Sequence, residues 1–257
     1  MPEELAKPNE GISAKERLAV ERKNAFLAKF LTRNPESAEK KLHLELAAKQ
    51  RMAFSEWDEA QFTPFSKHWE QVLLNKEGTL FSPDFLEKLS HDLRGDTLVD
   101  LGGSVPISEG KLTTMPNIAR EIGVREYITV DSAGLMTDKT EVDRVVEVNF
   151  DLYTKVDTPE TEVLAVNADM LDFVSRVTDG SANFVLNGID GNVIRDEEYR
   201  EELVKHVVRA TKLGGLVWGN TSVVEKPLSE NENFQPVRIF SEGNGHDFGM
   251  FCYKKVK

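Results

Sequence analysis

Apolar residues recur along this chain with two different periods, and the change from one to the other falls near residue 97. Residues 14–54 read as helix, with Leu42, Leu46 and Ala53 near helical spacing on a highly charged background. One break is expected at Asn34-Pro35-Glu36: a capping residue, a first-turn proline and an acid suited to the positive end of a helix. "TPFSKHWEQVLL" repeats that start, with Phe65, Trp69 and Val72 on one face. "SPDFLEKLSHDL" repeats it again, aligns Leu86, Leu89 and Leu93, and is closed by Gly95.

Beyond residue 97 the runs become short and β-rich: TLVDLG, YITVDSA, EVLAVNA, NFVLNGI and GLVWGNT. They are apolar on both faces, as parallel strands covered on two sides must be. "NIAREIG" and "DEEYREELVKHVVRATKLGG" supply helices between them. The final runs, "PVRIFSEG" and "HDFGMFCYKK", flank Asn244-Gly245, a hairpin signal that places the last two strands near 237–242 and 247–254. The prediction is an α/β fold: a doubly wound, mostly parallel seven-stranded sheet with a terminal antiparallel hairpin, preceded by an N-terminal helical segment. The boundary is placed between a helical part, 1–80, and a sheet domain, 81–257. Residues 133–162 are long for a single crossover helix, and VVEVNF within them reads as an additional strand.

Composition narrows the chemistry. With 257 residues the chain can bury a sizeable core, and its single cysteine, Cys252, excludes an internal disulfide and a thiolate metal cluster. Cys252 reads as a buried strand residue, since no neighbouring motif would lower its pKa. No apolar run is long enough to span a bilayer, and "MPEELAKPNEG" lacks the apolar core of a signal peptide, so a cytoplasmic location is expected. Of the net charge of −12, residues 1–56 carry +2 and the remainder −14. Such a domain repels phosphate backbones, which points to a small molecule or a protein as partner and away from nucleic acid or membrane.

In doubly wound sheets ligands bind beyond the carboxyl ends of the strands. The residues predicted there are Asp100 with Gly102 and Gly103, Asp131, Asp169, Asn187 to Asp190, and Asn220. Glycines after the first strand let a ligand approach bare backbone, and an acid after the second can accept from two ribose hydroxyls. Asp169 has two readings, a partner for an adenine amino group or simply the cap of "MLDFVSRV".

Taken in order, "VDLGG", "ITVDSA", "NADMLDF", "NFVLNGI", "LGGLVWGN" and the hairpin resemble the class I S-adenosylmethionine-dependent methyltransferases over roughly residues 80–257. The resemblance implies S-adenosylmethionine as cofactor, with Asp100, Leu101, Gly102 and Gly103 at its methionine part. It places Asp131 and Ser132 at the ribose, Asp169 and Met170 at the adenine, and Asn187, Gly188, Ile189 and Asp190 facing the methyl group and substrate. Asn187 is then a substrate-orienting group and Asp190 the base, and no metal is implied. The implied activity is methyl transfer to a small molecule or a protein. The N-terminal helices would act as a substrate lid or as a contact between copies of the chain.

The glycine loop departs from the family. After Gly103 come Ser104, Val105 and Pro106 where the pattern has further glycines, and Asp100 and Asp131 are separated by an extended "SVPISEGKLTTMPN". A second reading follows, a methyltransferase-like module that binds or assembles without catalysing. The chain has no G-x-G-x-x-G, Walker loop or G-x-S-x-G elbow. "VPISEGKLTTMPN" gives no convincing second strand for a kinase-type phosphate hairpin. The five histidines, 43, 68, 91, 206 and 246, lie too far apart for a local metal motif.

Overall fold

The computed structural model describes residues 21, 25, 28–55, 83–103, 107, 108, 111, 112, 114–131, 147, 148, 161–186, 196–219, 222–237 and 251–257. Five parallel strands form the middle of its main sheet: β1 (Thr97–Leu101), β4 (Glu126–Asp131), β6 (Glu162–Asn167), β7 (Asn183–Leu186) and β8 (Leu216–Gly219). At one edge β10 (Phe251–Lys255) runs antiparallel to both β8 and β9 (Phe234–Pro236). At the other, β5 (Glu147–Val148) runs antiparallel to β6. The order across the sheet is β5-β6-β4-β1-β7-β8-β10-β9. Six of the seven expected strands are therefore present, and β9 and the short edge strand inside VVEVNF complete the eight.

Six helices with described bounds accompany them: α1 (Ser37–Ser55), α2 (Pro83–Leu93), α3 (Thr114–Glu121), α4 (Met170–Arg176), α5 (Glu197–Ala210) and α6 (Ser222–Ser229). The strands alternate between two cores because successive side chains point to opposite faces. Leu98, Tyr127, Val185 and Trp218 pack with Leu89 and Leu93 of α2 and Ile118 of α3. Val99, Leu101, Ile128, Leu164, Phe184 and Val217 pack on the opposite face with α4 and α5.

Several boundaries differ from expectation. α1 begins at Ser37, after Asn34-Pro35; the Asn34 amide oxygen accepts from Lys40 Nζ at 2.6 Å, so it serves a side chain in place of the expected cap. Of the first strand of the expected terminal pair, 237–242, only Val237 is described; the strand that pairs with β10 is β9, at Phe234–Pro236. The Asn244-Gly245 turn falls outside the described residues, as does "TPFSKHWEQVLL". The stretch after "VDLGGS", expected to hold no strand, forms a miniature antiparallel hairpin, β2 (Ile107–Ser108) with β3 (Lys111–Leu112). α6 is not among the expected helices, because Pro227 sits inside it. Cys252 is a buried strand residue, and burial pushes its thiol pKa up, against any nucleophilic role.

The N-terminal segment belongs to this core. Phe30, Leu46 and Ala47 are buried in the same cluster as α4 and α5. The Phe30 carbonyl accepts from the Thr178 backbone at 2.9 Å, and Arg33 Nη1 donates to the Ser175 carbonyl at 2.7 Å. α1 then runs antiparallel along α5, from Glu39 beside His206 to Lys49 beside Glu198 and Gln50 beside Asp196.

Lys29 adds an anchor at the far end of the sheet. Its ammonium lies 2.8 Å from Glu126 at the start of β4, and Thr97 donates to the same carboxylate. Burial alone would raise the Glu126 pKa, but the hydrogen bonds from Lys29 and Thr97 and the charge of Arg125 outweigh it and hold the carboxyl below its usual range. A carboxyl lowered in the folded state stabilises above its unfolded pKa, about 4.3, and that contribution disappears as pH falls through the folded value. Glu126→Gln should therefore melt lower than wild type at pH 7, and the gap should close below about pH 4. Thermal melts of both proteins from pH 7 to 3 test this; a gap constant with pH would show that the Glu126 charge contributes nothing.

Candidate functional site

From β1 the chain steps to β4 and β6 on one side, then returns to β7 and β8 on the other. The reversal between β1 and β7 is the topological switch point, where open α/β sheets bind their ligands. The register brings the carboxyl ends level: Leu101 pairs with Val130 and with Leu186, Asp131 pairs with Asn167, and Leu186 pairs with Gly219. The described positions among those predicted, 102–103, 131 and 168–170, therefore leave the sheet along one edge. The sheet is the Rossmann-like one implied by the methyltransferase resemblance.

At this edge the Rossmann-like domain makes a tight turn. Gly102 has φ +75°, which L side chains rarely adopt, and its N–H donates to the Val130 carbonyl at 2.8 Å. Gly103 is buried directly over Asp100, and a Cβ there would stand 2.4 Å from Thr129 Oγ1 and 2.7 Å from the Asp100 carboxyl.

Asp100 is 0% exposed. Its Oδ2 accepts from the Tyr127 hydroxyl at 2.5 Å. Burial first, then the Asp100 charge, raise the Tyr127 pKa well above its usual value, so this phenol stays protonated and donates. The pairing follows from strand alternation: Asp100 is directly opposite Thr129, and Tyr127 lies two residues earlier on the same face. Asp100 thus supports the turn from beneath. Leu101 faces the opposite core, fully buried, so only its backbone can belong to a site at this edge.

Asp169 caps α4, accepting from the backbone N–H of Leu171 at 3.0 Å and of Asp172 at 3.2 Å. It also accepts from the Tyr199 hydroxyl at 3.2 Å, which ties the start of α5 to the end of β6. The capping reading of Asp169 is thus borne out. Met170 is half-buried beside it, packed against the core. The backbone of Asp131 ends β4 level with Asn167, while Ser132, Asn187, Gly188, Ile189, Asp190 and Asn220 lie outside the described residues.

Sequence reasoning missed the supports, Tyr127, Thr129 and Tyr199. The first two were legible in principle as the i, i+2 face of "YITVD" opposite the acid of "VDLGG". Tyr199 was not, because only the tertiary fold brings α5 to α4.

No family model matches the chain, and no curated protein matches it. Among solved structures it is similar to an rRNA methylase from Streptococcus thermophilus at 9% identity and TM-score 0.44, covering 70% of this chain and 100% of that one. It is similar to NSun6 from Pyrococcus horikoshii, solved with SFG, at 11% identity and TM-score 0.43, covering 68% of this chain and 51% of that one. Spermidine synthase from Thermotoga maritima gives 15% identity and TM-score 0.39, covering 75% of this chain and 59% of that one. Scores and identities this low leave the fold resting on the chain's own strand order. No helix among the described residues is long and apolar enough to cross a membrane.

Proposed function

We propose that the carboxyl edge of the sheet binds S-adenosylmethionine and that the protein transfers its methyl group to a small neutral or cationic acceptor. The observation that carries this reading is the Asp100 carboxylate, sealed beneath a two-glycine turn at the switch point. A buried acid is costly, and such groups concentrate at functional sites. A scaffold could fill the same volume with an apolar side chain at no such cost.

In this reading Asp100 is a positioning residue. It fixes the Gly102-Gly103 turn so that bare backbone meets the methionine part of the cofactor. Asp131 would accept from the ribose hydroxyls, and Met170 would lie against the adenine. Asp169, engaged in its cap, would hold the start of α4 in place beside the ring. Asn187 would orient the acceptor and Asp190 would take its proton where the nucleophile carries one. The bound sulfonium supplies an already activated methyl group, so the chain's task is alignment. The acidic charge outside residues 1–56 supports a small acceptor over a polynucleotide.

Ligand-induced stabilisation tests the reading. S-adenosylmethionine or its demethylated product at about a hundred times its dissociation constant should stabilise the native state by roughly 2.7 kcal/mol. Asp131→Ala should remove most of the thermal shift, while Glu201→Ala, at an exposed site on α5, should leave it intact. The absence of any shift at millimolar ligand would make the protein a non-catalytic module of the same fold. A shift followed by labelled-methyl transfer to RNA would overturn the choice of acceptor and leave the cofactor assignment standing.

A further inference from the structure

The two histidines buried between α1 and α5 stand 163 residues apart in sequence, yet their Nε2 atoms face each other at 3.3 Å. Both rings are 2% exposed and meet edge to face, with centroids 5.0 Å apart. Two carboxylates join them. Glu39 Oε1 is 3.3 Å from His206 Nε2, and Glu202 Oε2 is 3.8 Å from His43 Nε2 and 3.7 Å from His206 Nε2. Glu39, His43 and His206 each offer one ligand atom, all within 4.8 Å of one another.

We infer that Glu39, His43 and His206, with Glu202 as fourth ligand, form a binding site for a divalent transition-metal ion of the zinc type. Zinc bonds of about 2.0–2.1 Å in tetrahedral geometry separate the donor atoms by about 3.3–3.4 Å. The 3.3 Å His–His and His–Glu39 separations match that edge, while the Glu202 oxygen, 3.7 and 3.8 Å from the two Nε2 atoms, must move inward to complete the set. The ligand atoms of Glu39, His43 and His206 lie within 4.8 Å of one another, and two neutral imidazoles bring at most two protons to the cluster.

The surroundings suit a structural ion. Arg33 donates to Glu39 Oε2 at 2.8 Å and leaves Oε1 directed at His206. Lys205, which reaches both Glu202 oxygens at 2.9 Å, is largely exposed and free to yield. Arg209 Nε lies 3.4 Å from His206 Nδ1, a contact that a metal-bound ring carrying Nδ1–H gives up. Arg209 keeps its hydrogen bonds to the Val174 and Val177 carbonyls and to Asp179. His43 Nδ1 is buried without a hydrogen-bond partner among the described residues, so one ring lacks the supporting acceptor that ligating histidines usually have.

The ion would clamp α1 to α5, two helical turns from the Asp196–Tyr199 end that reaches the candidate ligand edge. Its role is to hold the N-terminal segment, separate from any chemistry at the strand ends.

The test uses the full chain without a histidine tag, stripped by a chelator and then titrated with Zn2+ or Co2+. One ion per chain is expected, with the visible ligand-field bands of tetrahedral Co2+ and a rise in melting temperature. Mg2+ and Ca2+, which prefer oxygen ligands, should produce neither. His206→Gln and His43→Gln should weaken Zn2+ binding by more than about a hundredfold, the upper range for losing a supporting partner of a ligand. His91→Gln, at an exposed site, should bind as wild type does. Substoichiometric zinc or Co2+ without tetrahedral bands in the wild-type chain would overturn the site even if the histidine variants failed to fold. Unchanged affinity in folded His206→Gln would do the same and leave a metal-free hydrogen-bonded pair.

Discussion

Gly103→Ala should lower stability by about 2–4 kcal/mol, the sum of overpacking a tight core and weakening a buried hydrogen bond. The added methyl would stand 2.4 Å from Thr129 Oγ1 and 2.7 Å from the Asp100 carboxyl. Neither neighbour can yield easily: Thr129 and Asp100 are paired across β4 and β1 and both are buried. The turn must therefore lift, or Asp100 must swing away from Tyr127. For a domain whose net stability is about 5–15 kcal/mol, that is a large fraction. Gly95→Ala is the control. Gly95 has φ +76°, but a methyl added there would meet nothing within 4 Å, so only the left-handed backbone penalty of about 1–2 kcal/mol applies. Urea unfolding of both variants decides; a Gly103→Ala midpoint no lower than that of Gly95→Ala would mean the turn is slack.

Tyr127→Phe should cost about 1.5–3 kcal/mol, because it deletes the hydroxyl that donates to the Asp100 carboxylate and weakens the support of a charge in the core. The double variant Asp100→Leu/Tyr127→Phe should be less destabilised than the two single losses added together, since breaking a buried polar pair costs more than replacing it whole. If strict additivity were measured in that cycle, the two side chains would be energetically independent and the turn would need another support. Tyr127→Phe should also weaken S-adenosylmethionine binding without touching it, if Asp100 positions the glycine turn.

The sequence disclosed most where a run of residues carries its own period. "TLVDLG" and "EVLAVNA" announce strands because both faces are apolar, and Gly95 announces a helix end because it alone tolerates φ +76° there. The hairpin of β2 and β3 was hidden because two residues per strand cannot display an alternation. α6 was hidden because Pro227 lacks an N–H for the helical ladder, and a proline inside an eight-residue stretch argues locally against helix. At the site, the glycine turn was legible and its foundation was not. The need for a bare Gly103 comes from Thr129 on a neighbouring strand. The histidine pair was beyond any spacing rule, since local ligand motifs register neighbours within a few residues.

The way residues 28–55 are seated also bears on how the protein could be altered by recombination. Phe30, Leu46 and Ala47 lie in the main core, Lys29 reaches Glu126 at the foot of β4, and Gln50 reaches Asp196 at the start of α5. A segment tied at both ends of a sheet and through its middle is a wall of the building, not a fitting attached to it. A segment of that kind cannot be exchanged between related proteins as a cassette. Any graft would have to carry the facing surfaces of α4 and α5 along with it.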